Sequence, residues 1–171
     1  MNKKVALAPM VVCAALLAGC GADDSSNAPT STVAAASQTT TSTSESTTID
    51  RVVADLRSAV PQISKVIVIT EDNDPNNLIG RPNGYVAATV IEDSRVKCSK
   101  GQKIGVDCGA TVEEWPDNDS AQRRSAYIQR ARESMPILGQ EYDYVQGPFL
   151  LRVSGDLKPS QAKKYEAAFT G

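Results

Sequence analysis

The chain contains no histidine. That absence excludes Ser-His-Asp triads, imidazole general bases, His-ligated zinc and histidine pH switches. Aromatic residues make up only 5% of its 171 residues, so a core must be built chiefly from Val, Ile, Leu and Ala. Positive charge is not in excess: 18 Lys and Arg face 20 Asp and Glu, for a net charge of −2. A nucleic-acid-binding domain carries a strongly basic footprint, and this one does not. No apolar run approaches the roughly 20 residues needed to span a bilayer. There is no Walker loop, no dinucleotide fingerprint, no Gly-x-Ser-x-Gly and no Ser-x-x-Lys in a site context. These absences argue against an enzyme, and no cofactor is expected.

What is present begins at the amino terminus. Lys3 and Lys4 precede an apolar run from Val5 to Leu17, the length of a secretory h-region. The run ends in Leu17-Ala18-Gly19-Cys20, which resembles the lipobox of bacterial lipoproteins. That resemblance implies cleavage after residue 19, a diacylglycerol thioether on the Cys20 thiol and an acyl (palmitate-type) anchor. Residues 1–19 are therefore read as a lipoprotein signal peptide, and Cys20 as the lipidated residue. Losing Lys3 and Lys4 and no acid takes the charge of the remainder from −2 to −4. An acidic chain gains nothing from anionic headgroups, so the lipid itself must hold it to the extracytoplasmic side of the cell membrane.

Residues 20–48 follow as a stalk. Fifteen of the 26 residues from Asp23 to Thr48 are Ser or Thr, and Val33 is the single large aliphatic. Such a tract cannot bury enough apolar surface to offset its ordering entropy, so a disordered tether is expected. A coil of that length spans roughly 25–30 Å.

Residues 49–171 are expected to form one α+β domain, a mostly antiparallel sheet with about three packed helices. Thr48 or Asp50 caps a first helix running to about Val60, with Val52, Val53, Leu56 and Val60 on one face. Lys65 to Thr70 is a β-branched run, read as a central strand buried on both faces. Tyr85 to Glu92, Lys103 to Val106 and Ala110 to Trp115 read as further strands. Asp117, Asn118 and Asp119 offer caps for a helix to about Ser134, which Pro136 cannot extend. Glu141–Val145 and Phe149–Val153 form a hairpin, and a last helix follows Pro159 with Ala162, Tyr165 and Phe169 facing inward.

Of four cysteines, Cys13 lies in the signal and Cys20 takes the lipid. Cys98 and Cys108 remain, separated by nine residues that include Gly101 and Gly105, in a chain read as exported. A structural disulfide is expected. A redox pair ordinarily has two intervening residues, and a zinc site needs ligands that a His-free chain lacks.

The stretch from Thr70 to Gly84 is dense in turn formers and hangs from the end of a strand, where binding residues concentrate. Asn73, Asp74, Asn76, Asn77 and Arg81 are its partner-binding candidates. Asp72, Asp74 and Asn76 carry the first spacings of an EF-hand, but Asn77 and Asn83 replace its required Gly and Glu. A different calcium site using Glu71, Asp72 and Asp74 stays open. So does the plainer reading, Asx-type turn capping with Arg81 paired to a nearby carboxylate.

The pattern Glu71-x-Asn73-Asp74-Pro75-Asn76-Asn77-Leu78-x-Gly80-Arg81-Pro82 resembles a signature of small surface lipoproteins of actinobacteria and other Gram-positive bacteria, some borne on prophages. The likeness continues through Val112–Trp115, Glu141–Tyr144 and Leu150–Val153. It implies a shared single domain and a surface location, with interest in the 71–84 loop, and supplies no catalytic residue.

Two further features carry competing readings. Arg123, Arg124, Arg130 and Arg132 make the second helix basic, as a solvated face or as a dock for an acidic partner. Trp115 is a core anchor or a stacking surface for a sugar. Glu113 and Glu114 are adjacent in a strand and point to opposite faces, so they cannot pair as a glycosidase couple. The functional expectation is a lipid-anchored binding module acting on an envelope or phage protein. The alternatives are a calcium- or anion-binding structural protein of the envelope, and a hydrolase with an unfamiliar site.

Overall fold

The computed structural model describes residues 48–98 and 103–171; Cys20, the signal peptide and the stalk up to residue 47 lie outside them. The described residues form helix α1 (Ile49–Ala59), strands β1 (Ile63–Val68), β2 (Ala87–Asp93) and β3 (Gly109–Glu114), helix α2 (Asn118–Ser134), strands β4 (Glu141–Gln146) and β5 (Phe149–Ser154), and helix α3 (Pro159–Thr170). All strand pairings are antiparallel, in the order β1-β2-β3-β5-β4. The expected α+β domain is what forms.

The helices start and stop for local reasons. Thr48 takes the N-cap position of α1 through its carbonyl, which accepts the N–H groups of Arg51 and Val52; its hydroxyl does not cap. The Asp117 carboxylate caps α2 by accepting the Ser120 N–H at 2.6 Å. Pro159 opens α3, where its missing N–H costs nothing, and the Gln161 side chain accepts the Lys158 N–H.

Each face of the sheet is covered by different elements. On one, Val52, Val53 and Leu56 of α1 and Val60 just beyond it, with Ala162, Tyr165 and Phe169 of α3, pack on Ile91, Val112, Leu151 and Val153. On the other, Ala121 and Ile128 of α2 join Ile69, Tyr85, Val90, Trp115 and Leu150. Strand alternation produces the division: consecutive side chains of β3 and β5 go to opposite layers.

Two strand expectations need correction. The β-branched run gives an edge strand, not a central one: β1 pairs only with β2, and Val68 is 63% exposed. Its register also slips between Ile63 and Lys65. β-branching reports fit to a pleated surface and says nothing of how many neighbours the strand has. Residues 103–106 are not strand; a 3₁₀ turn over Val106–Cys108 leads into β3. Gly109 makes that junction with φ +145°, where a Cβ would meet Asp93 N and Ile91 O at 2.7 Å. Cys98 and Cys108 are joined by the expected disulfide, with Cα atoms 4.6 Å apart.

Candidate functional site

The 71–84 loop leaves the end of β1 and is braced throughout by its own side chains. Asp74 is the hub. Its Oδ1 accepts the Asn76 N–H at 2.8 Å and the Tyr85 hydroxyl, and its Oδ2 accepts the N–H groups of Leu78 (2.6 Å) and Ile79 (2.9 Å). Burial disfavours the charged carboxylate, but the bonds from Tyr85 and the three backbone N–H groups outweigh it, and its pKa falls below the ordinary value. Burial, with the Asp74 partnership, pushes the Tyr85 hydroxyl well above its ordinary value, so it stays a donor.

Asn73 fastens the loop to its strand: its Oδ1 accepts the Thr70 N–H and its Nδ2 donates to the Val68 carbonyl. Asn77 sits at φ +54° and its Oδ1 accepts from Arg81 Nε and Nη2, the latter at 2.9 Å. Arg81 is thus held by an amide, where a carboxylate was expected. Gly84 closes the loop, because a Cβ there would stand 1.8 Å from the Leu78 carbonyl oxygen. The sequence candidates Asn73, Asp74, Asn76, Asn77 and Arg81 are therefore all brought into one element. They divide into Asn73 and Asp74, which build it, and Asn76, Asn77 and Arg81, which remain exposed upon it. Among the described residues no three His, Cys, Asp or Glu side chains gather where they could hold a metal ion. Glu71, Asp72 and Asp74 accordingly make no cage, and both oxygens of Asp74 are engaged by the protein itself.

Beside the loop, Leu78 and Asn83 face Ser120, Arg123 and Tyr127 of α2 across a groove of about 510 Å³. Trp115 lies at its base, but it is an anchor: 6% exposed, edge-on to Tyr85 at 5.8 Å, with Nε1 donating to Glu113 Oε2. Tyr127 of α2 is 59% exposed.

Under α2 lies a constellation that the sequence reading missed. Glu113 is fully buried; its Oε1 accepts from Arg152 Nη1 at 3.0 Å, and its Oε2 lies 3.4 Å from Arg124 Nε. Arg152 clamps Glu141 with Nε and Nη2, and Arg132 Nη1 reaches the same carboxylate at 3.0 Å. Asp143 stands beside them. Burial raises its pKa from the ordinary value to about 6 against the pull of Arg152 and Arg132. Arg124 and Arg132 are thus not the solvated face expected of them; each side chain is only 13% exposed. Three acids and three arginines neutralise one another between α2 and the sheet. Their signal was a charge at inward positions of apolar strands: Glu113 between Val112 and Glu114, Arg152 between Leu151 and Val153, and Glu141 and Asp143 two apart. A carboxylate with a raised pKa marks active sites as well as ion-pair networks; here its neighbours are guanidinium groups of the network.

No family model, curated protein or solved structure matches the chain. Its role has to be argued from these residues.

Proposed function

We propose that this is a non-catalytic binding module, held outside the cytoplasmic membrane by lipid on Cys20, whose 71–84 loop engages a protein of the envelope or of a phage. One observation carries the reading. Asp74 takes four internal hydrogen bonds, so the loop is built before any partner arrives and the ordering cost of recognition is already met. Asn76, Asn77 and Arg81 project polar groups from that frame, and the groove beside Tyr127 extends the same surface. The export and lipidation reading rests on Leu17-Ala18-Gly19-Cys20, and the resemblance to prophage-borne surface lipoproteins points to phage or envelope proteins as partners.

Two experiments test the proposal separately. Metabolic labelling with a palmitate analogue should mark the wild-type protein and not Cys20→Ser; equal labelling removes the anchor. Crosslinked capture on intact cells should yield a partner that Asn77→Ala/Arg81→Ala loses while the fold stays intact. Undiminished capture, with undiminished phage sensitivity, removes the loop as the recognition surface.

A further inference from the structure

The wall that α2 presents to the groove beside the 71–84 loop is basic. Ser120, Arg123, Arg124 and Tyr127 follow at helical spacing, so one face of α2 looks across at Leu78 and Asn83. Arg123 is exposed and gives its Nη2 to Ser120 Oγ at 2.8 Å. Arg124 is set deeper, its side chain 13% exposed, and it makes no hydrogen bond with any described residue. Its Nε, 3.4 Å from Glu113 Oε2, is the one nitrogen of the three that is both buried and unpaired. The N–H groups on Nη1 and Nη2 keep open surface and have no acceptor. Glu113 is already engaged, its Oε1 by Arg152 and its Oε2 by Trp115 Nε1. A guanidinium drawn this far out of water without acceptors is costly, and native proteins seldom keep one without use.

We propose that Arg124 and Arg123 receive an acidic side chain of the protein partner, its carboxylate accepting from their Nη groups in the groove. The inference rests on the loop reading of the partner and adds that this partner presents an Asp or Glu. The charges under α2 run in a row, Arg124, Glu113, Arg152, Glu141, Arg132, alternating in sign with a guanidinium at each end. Asp143 offsets the far end, beside Arg152 and Arg132; the near end opens on the groove. The lining adds Arg123 and one acid, Asp117, whose Oδ1 already caps α2. An entering carboxylate therefore meets two guanidinium groups and one committed acid, and its two oxygens suit their fork geometry. An ammonium meets the reverse. A neutral amide can accept from the same N–H groups, but without the charge assistance that roughly doubles such a bond. At about 510 Å³ the groove has room for the whole side chain, whose methylene groups would lie along Tyr127 and Leu78.

The test is an NMR titration of the full chain, disulfide intact, at low ionic strength, with N-acetyl-glutamate N-methylamide and its glutamine and lysine counterparts. The glutamate probe should give saturable shifts of millimolar affinity at the Arg123 and Arg124 side chains and the Tyr127 ring. The glutamine probe should bind at least about ten-fold more weakly, and the lysine probe should not saturate. Arg124→Lys keeps a charge for Glu113 but loses the fork, and should weaken the glutamate probe about ten-fold. Arg123→Gln, at an exposed position, should keep the spectrum of a folded protein and weaken it about five-fold; it serves if Arg124→Lys does not fold. No saturable shift overturns the proposal. So does a glutamine probe that binds as well, an Arg123→Gln protein that binds unchanged, or inorganic phosphate bound at least about ten-fold more tightly, which assigns a phosphoryl group. The loop reading fails separately: Asn77→Ala/Arg81→Ala with undiminished capture removes it while the titration stands, and a failed titration with capture intact removes the carboxylate alone.

Discussion

Val112 and Glu113 are neighbours on β3, both fully buried, and they open onto two different kinds of interior. Val112 enters the layer of α1 and α3, where aliphatic and aromatic side chains meet and the one buried carboxylate, Asp93, is bonded to the Tyr165 hydroxyl and Arg95. Glu113 enters the layer of α2, where Arg124 and Arg152 converge on it. The first layer is held chiefly by non-directional burial, which tolerates small rearrangements. The second is held by groups that must meet in one geometry, each expensive to leave alone. One sheet thus carries a general source of stability on one face and a conditional source on the other.

The largest effect that sharpens this contrast is at Glu113. Glu113→Ala strands two guanidinium groups and the Trp115 N–H, and should lower unfolding free energy by about 3–5 kcal/mol in urea denaturation. Leu151→Ala, on the apolar face, should cost about 2–5 kcal/mol by cavity formation. Replacing Glu113, Arg124 and Arg152 together with apolar residues of like volume should recover most of the Glu113→Ala loss. If the triple variant remains as unstable as the single one, the distinction between the layers fails.

Next comes the loop hub. Asp74→Ala leaves three N–H groups and the Tyr85 hydroxyl without their acceptor, and should cost about 2–3 kcal/mol. Hydrogen exchange at Asn76, Leu78 and Ile79 should accelerate ahead of the sheet. Asp74 and Asp93 both have folded-state pKa values below the ordinary 3.8. For Asp93, burial opposes the charge and the bonds from Arg95 and Tyr165 overcome it. Their contribution is therefore complete above about pH 4 and is lost as pH falls through the depressed values.

Asp143 works the other way. Its folded pKa of about 6 exceeds the ordinary 3.8, so from about pH 4 to pH 6 the unfolded chain sheds a proton that the folded one retains. Stability from this group falls as pH rises through that window. Asp143→Asn removes the penalty and should stabilise the protein by about 3 kcal/mol at pH 7, the gain shrinking to nothing near pH 4. Thermal scans at the two pH values measure it. The smallest effect is at Arg81, exposed and with its side chain bonded to Asn77: Arg81→Ala should change stability by a few tenths of a kcal/mol. Any loss of partner capture would then be a loss of contact, not of fold.

The helices and the hairpin were legible in the sequence because their causes are local: a 3.6-residue apolar period, Asp117 three residues before the N–H it caps, Pro136 and Pro159 as boundaries. The position of β1 was not legible, since Lys65–Val68 looks the same with one neighbouring strand or two. The charged layer escaped because its partners are distant in the chain: Glu113 and Arg152 are 39 residues apart, and Arg152 and Glu141 are 11 apart. In the loop, Asp74 reads as a turn former, but that the Tyr85 hydroxyl completes its coordination depends on where β2 begins.

The irregularity in β1 has a consequence beyond the isolated molecule. A straight, flat outer strand is a template on which a second copy could extend the sheet, and crowding multiplies such encounters. Here β1, one of the two outer strands, is six residues long, breaks step between Ile63 and Lys65, and carries the Lys65 ammonium beside that break. A copy approaching along β1 would find no continuous ladder to join, whereas β4, the other edge, keeps an unbroken register with β5 and has no such break.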